Sequence, residues 1–132
     1  MDYVKIGGRV WDVIVTEISE NFNILYSENT GRTMSVGARM TLDPLGTFFG
    51  HKITFARKRG NEAEYDRLFD FVCIPRFDGI PVEIVHGQKT LAYDAYISQG
   101  ERALKRIDPN TNKVYWDKFS VNIVPMEAQV TP

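Results

Sequence analysis

The chain has 132 residues, 43% of them hydrophobic and 25% charged, with a formal net charge of −1. This is the size and composition of one globular domain with its own core, and it lacks the basic excess of a dedicated nucleic-acid binder. One cysteine, Cys73, excludes an intrachain disulfide, and no apolar run approaches the roughly 18 residues of a membrane span. The opening Met1-Asp2-Tyr3-Val4-Lys5 lacks the basic and apolar regions of a signal peptide, so folding in a cytoplasm is expected.

In chain order, Tyr3 to Ile6, Gly7-Gly8 and Arg9 to Ile18 predict a hairpin, because glycine reaches the positive φ that a two-residue turn demands. The second run carries apolar residues on both faces: Trp11, Val13 and Val15 on one, Val10, Ile14 and Ile18 on the other. That pattern predicts a central strand. Phe22 to Tyr26 reads as a short strand. Ser27 to Gly46 then turns polar, with Gly31, Gly37, Pro44 and Gly46. Its apolar points are Met34, Val36, Met40, Leu42 and Leu45, partly spaced by two. The stretch reads as a long loop or protruding hairpin, and loops of this length tend to be functional.

Phe48 to Arg57 alternates cleanly, with Phe49, His51, Ile53 and Phe55 on one face, and predicts a strand. Asn61 to Cys73 predicts the single helix. Asn61 is a suitable N-cap, Glu64 completes a capping-box pattern, and Tyr65, Leu68, Phe69, Val72 and Cys73 form one apolar stripe that Pro75 ends. Ile80 to His86, Gly87-Gln88 and Thr90 to Ser98 predict a second hairpin, which Arg102 to Asp108 continues. Asp108-Pro109-Asn110-Thr111-Asn112 is dense turn chemistry. Lys113 to Val124 is the last strand, with Phe119, Val121 and Ile123 inward. The fold class is therefore mainly β (α+β): an antiparallel β-sandwich or barrel of about seven or eight strands, with one packed helix at about 61–73 and a long loop at about 27–46. It forms a single domain over residues 1–132.

Chemistry is sparse. His51 and His86 sit inside strands, and with one cysteine they do not supply the clustered ligands of a zinc site, although they can meet across a sheet. They read as strand residues with ordinary hydrogen-bond partners. Cys73 lies on the apolar stripe, far from the helix N-terminus that would activate a thiol, and reads as a small core residue. Carboxylate pairs need a cleft for acid–base work; Asp66 and Asp70, four apart on the helix, read as a solvated face, and Glu17 and Glu20 lie near a strand end. Nucleophile-elbow, dinucleotide and phosphate-loop motifs are absent from the sequence. No catalytic activity, cofactor, metal or small-molecule substrate is expected. The one basic run, Arg57-Lys58-Arg59, is followed by Glu62 and Glu64, which favours a solvated turn or an intersubunit charge pair over a phosphate patch. The 27–46 arm is the more informative feature, since arginine and methionine are enriched in interface cores. Asn29, Arg32, Met34, Arg39, Met40 and Leu42 are the candidate subunit-contact residues.

Several stretches carry a resemblance. They are Phe22-Asn23-Ile24-Leu25 leading to Asn29-Thr30-Gly31-Arg32-Thr33-Met34, then Pro44-Leu45-Gly46-Thr47-Phe48 and Tyr65-Asp66-Arg67-Leu68-Phe69-Asp70, and the closing Phe119 to Glu127. With the order of elements, the chain resembles the β-sandwich-plus-helix domains of long-tailed bacteriophages, over roughly residues 4 to 127. The likeness is to the tail tube protein and the first domain of the distal tail protein, of the type found in phages and prophages of Gram-positive bacteria. The resemblance implies a structural virion protein of the tail or baseplate, without catalytic residues, assembled in the host bacterial cytoplasm. Copies would close into rings, commonly of six, or stack into a tube, with other phage tail proteins as neighbours and nucleic acid only as DNA passing through a channel. The long loop would reach an adjacent subunit, and sheet edges would join. A full distal tail protein usually has a second domain, which these residues do not contain, so tail tube, shortened baseplate ring protein and head–tail connector subunit all stay open. The alternative is a small β-barrel binding module for nucleic acid or carbohydrate. That reading needs an exposed aromatic row, whereas Tyr93 and Tyr96 fall on opposite faces and Trp11 and Trp116 in separate runs.

Overall fold

The computed structural model describes residues 4–34 and 37–132. Its elements are β1 (Val4–Ile6), β2 (Ile14–Tyr26), β3 (Gly31–Arg32), β4 (Met40–Thr41), β5 (Pro44–Ala56), α1 (Glu62–Val72), β6 (Ile80–His86), β7 (Lys89–Asp108) and β8 (Lys113–Pro125). Six strands form one sheet in the order β1-β6-β7-β8-β5-β2, and β3-β4 form a separate ribbon. Every pairing is antiparallel. The fold is mainly β with one helix, as the alternation patterns predict. Tyr3 and Val36, read as a strand start and an apolar point of the arm, lie outside the described residues.

The sheet is strongly curled. β2 and β6 stand four places apart in strand order, a separation of roughly 19 Å in a flat sheet. Yet the Glu20 carboxylate of β2 lies 2.7 Å from the His86 imidazole of β6. Only a sheet that wraps its two flanks towards each other brings those side chains together. The concave face carries the core: His51, Ile53 and Phe55 of β5, Phe119, Val121 and Ile123 of β8, and Ile80, Val82 and Ile84 of β6 are all buried. Helix α1 closes one end by burying Tyr65, Leu68 and Val72. The Tyr65 and Phe69 rings stand edge-on to Phe119, and the Tyr65 hydroxyl donates to the Asp117 carbonyl.

The N-terminal region departs from expectation. The Gly7-Gly8 turn forms, with positive φ at both glycines and Ile6 N–H bonded to the Arg9 carbonyl at 3.0 Å. However, β1 pairs with β6, and the strand after the turn starts only at Ile14. The turn is pinned beneath the helix: a Cβ on Gly7 would come within 2.4 Å of the Phe71 ring. The Trp11 indole N–H donates to the Ile6 carbonyl at 2.9 Å and stacks at 5.1 Å on Phe71, which holds residues 9–13 off the sheet. β2 then absorbs the short strand expected at Phe22 to Tyr26. It is an edge strand paired only with β5, not the central strand that its two apolar faces suggested.

Two local expectations at α1 are also corrected. Asn61 makes no side-chain cap hydrogen bond; its amide donates to Asp12 at 2.7 Å. Glu64 is drawn instead to the Arg9 guanidinium and the Asp12 backbone N–H. Cys73 is exposed rather than in the core, because the helix ends at Val72 and Cys73 is the C-cap, beyond the buried part of the stripe.

The β7–β8 hairpin runs past the end of β5, and Arg102 anchors it. Its guanidinium lies 3.7 Å from the Phe69 ring and 4.1 Å from the Trp116 ring, within 3.5 Å of Asp66. Arg102→Ala is expected to cost about 1–3 kcal/mol in urea unfolding, and Arg102→Lys to recover only a fraction, since an ammonium does not stack between two rings. A lysine variant as stable as the native chain would refute the stacking account.

Candidate interaction surface and the Glu20 cluster

The arm at 27–46 is a short hairpin. Gly31 pairs with Thr41 and Arg32 with Met40, while Thr33 N–H bonds the Arg39 carbonyl at 2.8 Å. Its base is tied by Ser27 N–H to the Asp43 carbonyl at 2.9 Å, by the Ser27 hydroxyl to the Asp43 carboxylate, and by Asp43 N–H to the Thr30 hydroxyl at 2.9 Å. Asn29, Arg32, Met34, Arg39, Met40 and Leu42 are all exposed. Arg32 and Met40 are cross-strand neighbours, and the Arg32 guanidinium reaches back to the Ala38 carbonyl at 3.4 Å. Met34 is wholly exposed on the stretch joining β3 to β4.

The apolar surface extends beyond those six residues. Phe22, Ile24, Leu25 and Tyr26 of β2 and Leu45 of β5 are exposed next to the arm, Phe22 by 65%. Exposed large apolar side chains gathered on one edge strand and its neighbouring arm point to an interaction site. From Glu17 to Leu25 the β2–β5 register runs without a bulge, so the outer edge of β2 offers an unbroken row of backbone donors and acceptors. β2 carries no lysine or proline, and its bulges, at Val15/Glu17 and Leu25/Tyr26, fall at the ends of that regular stretch. In the sequence Phe22 to Tyr26 reads only as a short strand with no exposed face assigned, so this part of the surface was not named.

At the end of the core opposite α1 sits a polar cluster. His51, buried on β5, places Nδ1 at 2.7 Å from the Tyr93 hydroxyl of β7 and Nε2 at 2.8 Å from Glu20 Oε2. His86 Nδ1 contacts the same oxygen at 2.7 Å, and its ring stands edge-on to Phe49 at 4.8 Å. An ionised carboxylate only accepts, so neutral His51 carries its proton on Nε2 and accepts at Nδ1 from Tyr93. Burial pushes the Glu20 carboxyl up, but hydrogen bonds from His86 and His51 outweigh it and leave the group below its usual range. Burial holds the His51 imidazole down, against the pull of Glu20. Burial and the Glu20 charge push the Tyr93 hydroxyl well up. The hydroxyl–imidazole–carboxylate chain ties β7, β5 and β2 together at this end of the core. Among the described residues no three His, Cys, Asp or Glu side chains are arranged to hold a metal ion.

The two histidines do meet, through Glu20. Glu20 was weighed in the sequence only beside Glu17, and its contact with both histidines was not foreseen, because that contact depends on the curl of the sheet rather than on spacing. Asp66 pairs with Arg102, and Lys58 of the basic run pairs with Asp12 at 2.7 Å. No protein-family model matches the chain, and no curated protein matches it.

Proposed function

We propose that the chain is a self-assembling structural protein of a bacteriophage tail or baseplate, forming rings or a tube. The observation that supports this reading is the set of exposed apolar residues on the arm and on β2, an edge strand that pairs only with β5. An edge of this kind is a hazard on an isolated chain and an asset in an assembly, where a neighbour completes the sheet or covers the apolar arm. The reading assigns no catalytic step and no cofactor. The alternative, a binding module for nucleic acid or carbohydrate, needs a row of free aromatic faces, whereas both tryptophans are engaged: Trp11 packs against Phe71 and Arg9, and Trp116 lies under Arg102.

Light scattering of the purified protein over a concentration series, with negative-stain imaging, tests the reading. Discrete rings or tubes are expected. Deletion of residues 30–42 should abolish them and leave the fold intact: Ser27 and Asp43 are already bonded, and Glu28-Asn29 would become a two-residue hairpin loop. A chain that stays monomeric at every concentration sinks the reading, and rings that survive the deletion move the contact off the arm.

A further inference from the structure

Two hollows of opposite charge lie towards opposite ends of the β7–β8 hairpin. The first, about 460 Å³, is lined by Asp78, Asp94 and Glu127 with no cation, and fully exposed Phe77 stands at its rim. The second, about 340 Å³, is lined by Arg57, Arg59, Lys105 and Lys118 against only Glu62 and Asp117. Those two acids are engaged locally: Asp117 accepts from the Lys118 N–H at 2.8 Å, and Glu62 from the Gly60 N–H at 3.5 Å. Arg106 adds a further cation, since it and Arg57 lie 4.3 and 5.2 Å from the same Tyr115 ring. None of Arg57, Arg59, Lys105, Arg106 and Lys118 forms an ion pair among the described residues. From Asp94 to Lys105 along β7 the rise is roughly 30 Å or more.

We infer that these hollows are the two halves of one contact between copies of this chain, the acidic hollow of one copy seating against the basic hollow of the next. This rests on the self-assembly reading and adds to it the faces that meet and their direction. A surface with one sign at each end of its long axis can join the opposite end of a neighbour at each end. It suits head-to-tail association, the geometry that closes into rings or continues as a stack. Charge complementarity sets register and speeds encounter, while an exposed aromatic supplies the desolvated anchor. Phe77 fills that role, entering the basic hollow where guanidinium groups already pack on an aromatic ring. A chain of net charge −1 that gathers five unpaired cations at one end and three acids at the other keeps its repulsion low while keeping its direction.

The test is a charge swap read by light scattering after size exclusion. Asp94→Lys with Glu127→Lys makes both ends basic, and Arg57→Glu with Arg59→Glu makes both ends acidic. Each double variant alone should associate at least roughly tenfold more weakly than the native chain, and an equal mixture of the two should co-assemble. Native assembly should weaken as salt rises from about 0.05 to 0.5 M, where charge–charge attraction is screened. Phe77→Ser should also dissociate the native assembly, and unchanged melting midpoints would show that all three variants fold. If the native chain assembles and the double variants assemble equally well, or the mixture fails to recover, the inference is overturned while the assembly reading stands. A native chain that never assembles overturns both.

Discussion

Phe119→Ala is expected to remove about 3–5 kcal/mol of stability, the range for deleting a fully buried aromatic ring. Phe119 is the hub between sheet and helix. Its ring centroid lies 5.2 Å from Phe55 on β5, and 5.0 and 5.4 Å from Tyr65 and Phe69 on α1. Tilted and edge-on pairs each add about 0.5–1.5 kcal/mol beyond area burial, so the site sits towards the top of that range. The loss should be uneven. A helix of 11 residues is marginal alone and depends on its packed face. Amides of Glu62–Val72 should therefore lose exchange protection before those of β6 and the start of β7, which are held by the β6–β7 ladder. Against a typical domain stability of 5–15 kcal/mol the variant keeps little reserve. Phe119→Leu refills part of the void and should cost markedly less. Urea unfolding with hydrogen exchange checks both. A loss under about 1 kcal/mol with α1 still protected would mean that the hub does not hold the helix.

What was legible in the sequence is what period and turn chemistry encode. The β6–β7 hairpin with its Gly87-Gln88 turn, the inward set Phe119, Val121 and Ile123, and the apolar stripe of α1 all follow from local pattern, and the structure places them accordingly. The failures fall where a non-local partner wins. Gly7-Gly8 turns the chain, but Phe71 and Trp11 decide that β1 goes to β6 and not back to its own neighbour. Asn61 and Glu64 fit a capping box, yet Asp12 and Arg9 offer them charged partners, and a charge-assisted bond outweighs a neutral cap. Cys73 continues a stripe whose burial stops one residue sooner. The arm residues could be named because composition marks an arm, whereas Phe22 and Leu25 lie in a run read only as a short strand, whose period does not tell an edge from a centre. The contacts of Glu20 could not be found at all without the curl.

Acid should open the Glu20 clasp in two separable steps. His51 has its imidazole pKa lowered in the fold from 6.5, chiefly by burial. A depressed histidine leaves the unfolded chain binding more protons, so its contribution is complete above about pH 6.5 and is lost as pH falls from there through the folded value. Glu20 is lowered from 4.5, with the bonds from His86 and His51 overcoming burial. Its contribution is complete above about pH 4.5 and is lost as pH falls through its own lower folded value. Both act with the same sign, so stability declines on acidification in two stages. The other groups on that face do not reverse it. Tyr93 stays protonated throughout, Ile123 of β8 lies opposite His51, and Lys52 points to the far face of the sheet. Glu20→Gln keeps a neutral acceptor for His51 and should erase the stage below pH 4.5. His51→Leu should erase the stage that begins near pH 6.5 and lower stability at neutral pH by about 1–3 kcal/mol, since it deprives buried Tyr93 of its acceptor. Because the clasp is the contact that joins edge strand β2 to β6, opening it should expose β2 amides first. Thermal unfolding from pH 8 to pH 3, with hydrogen exchange at residues 14–26, reads both stages. A native pH profile that both variants reproduce would sink the account, and loss of β2 protection without either stage would place its attachment in the β5 ladder alone.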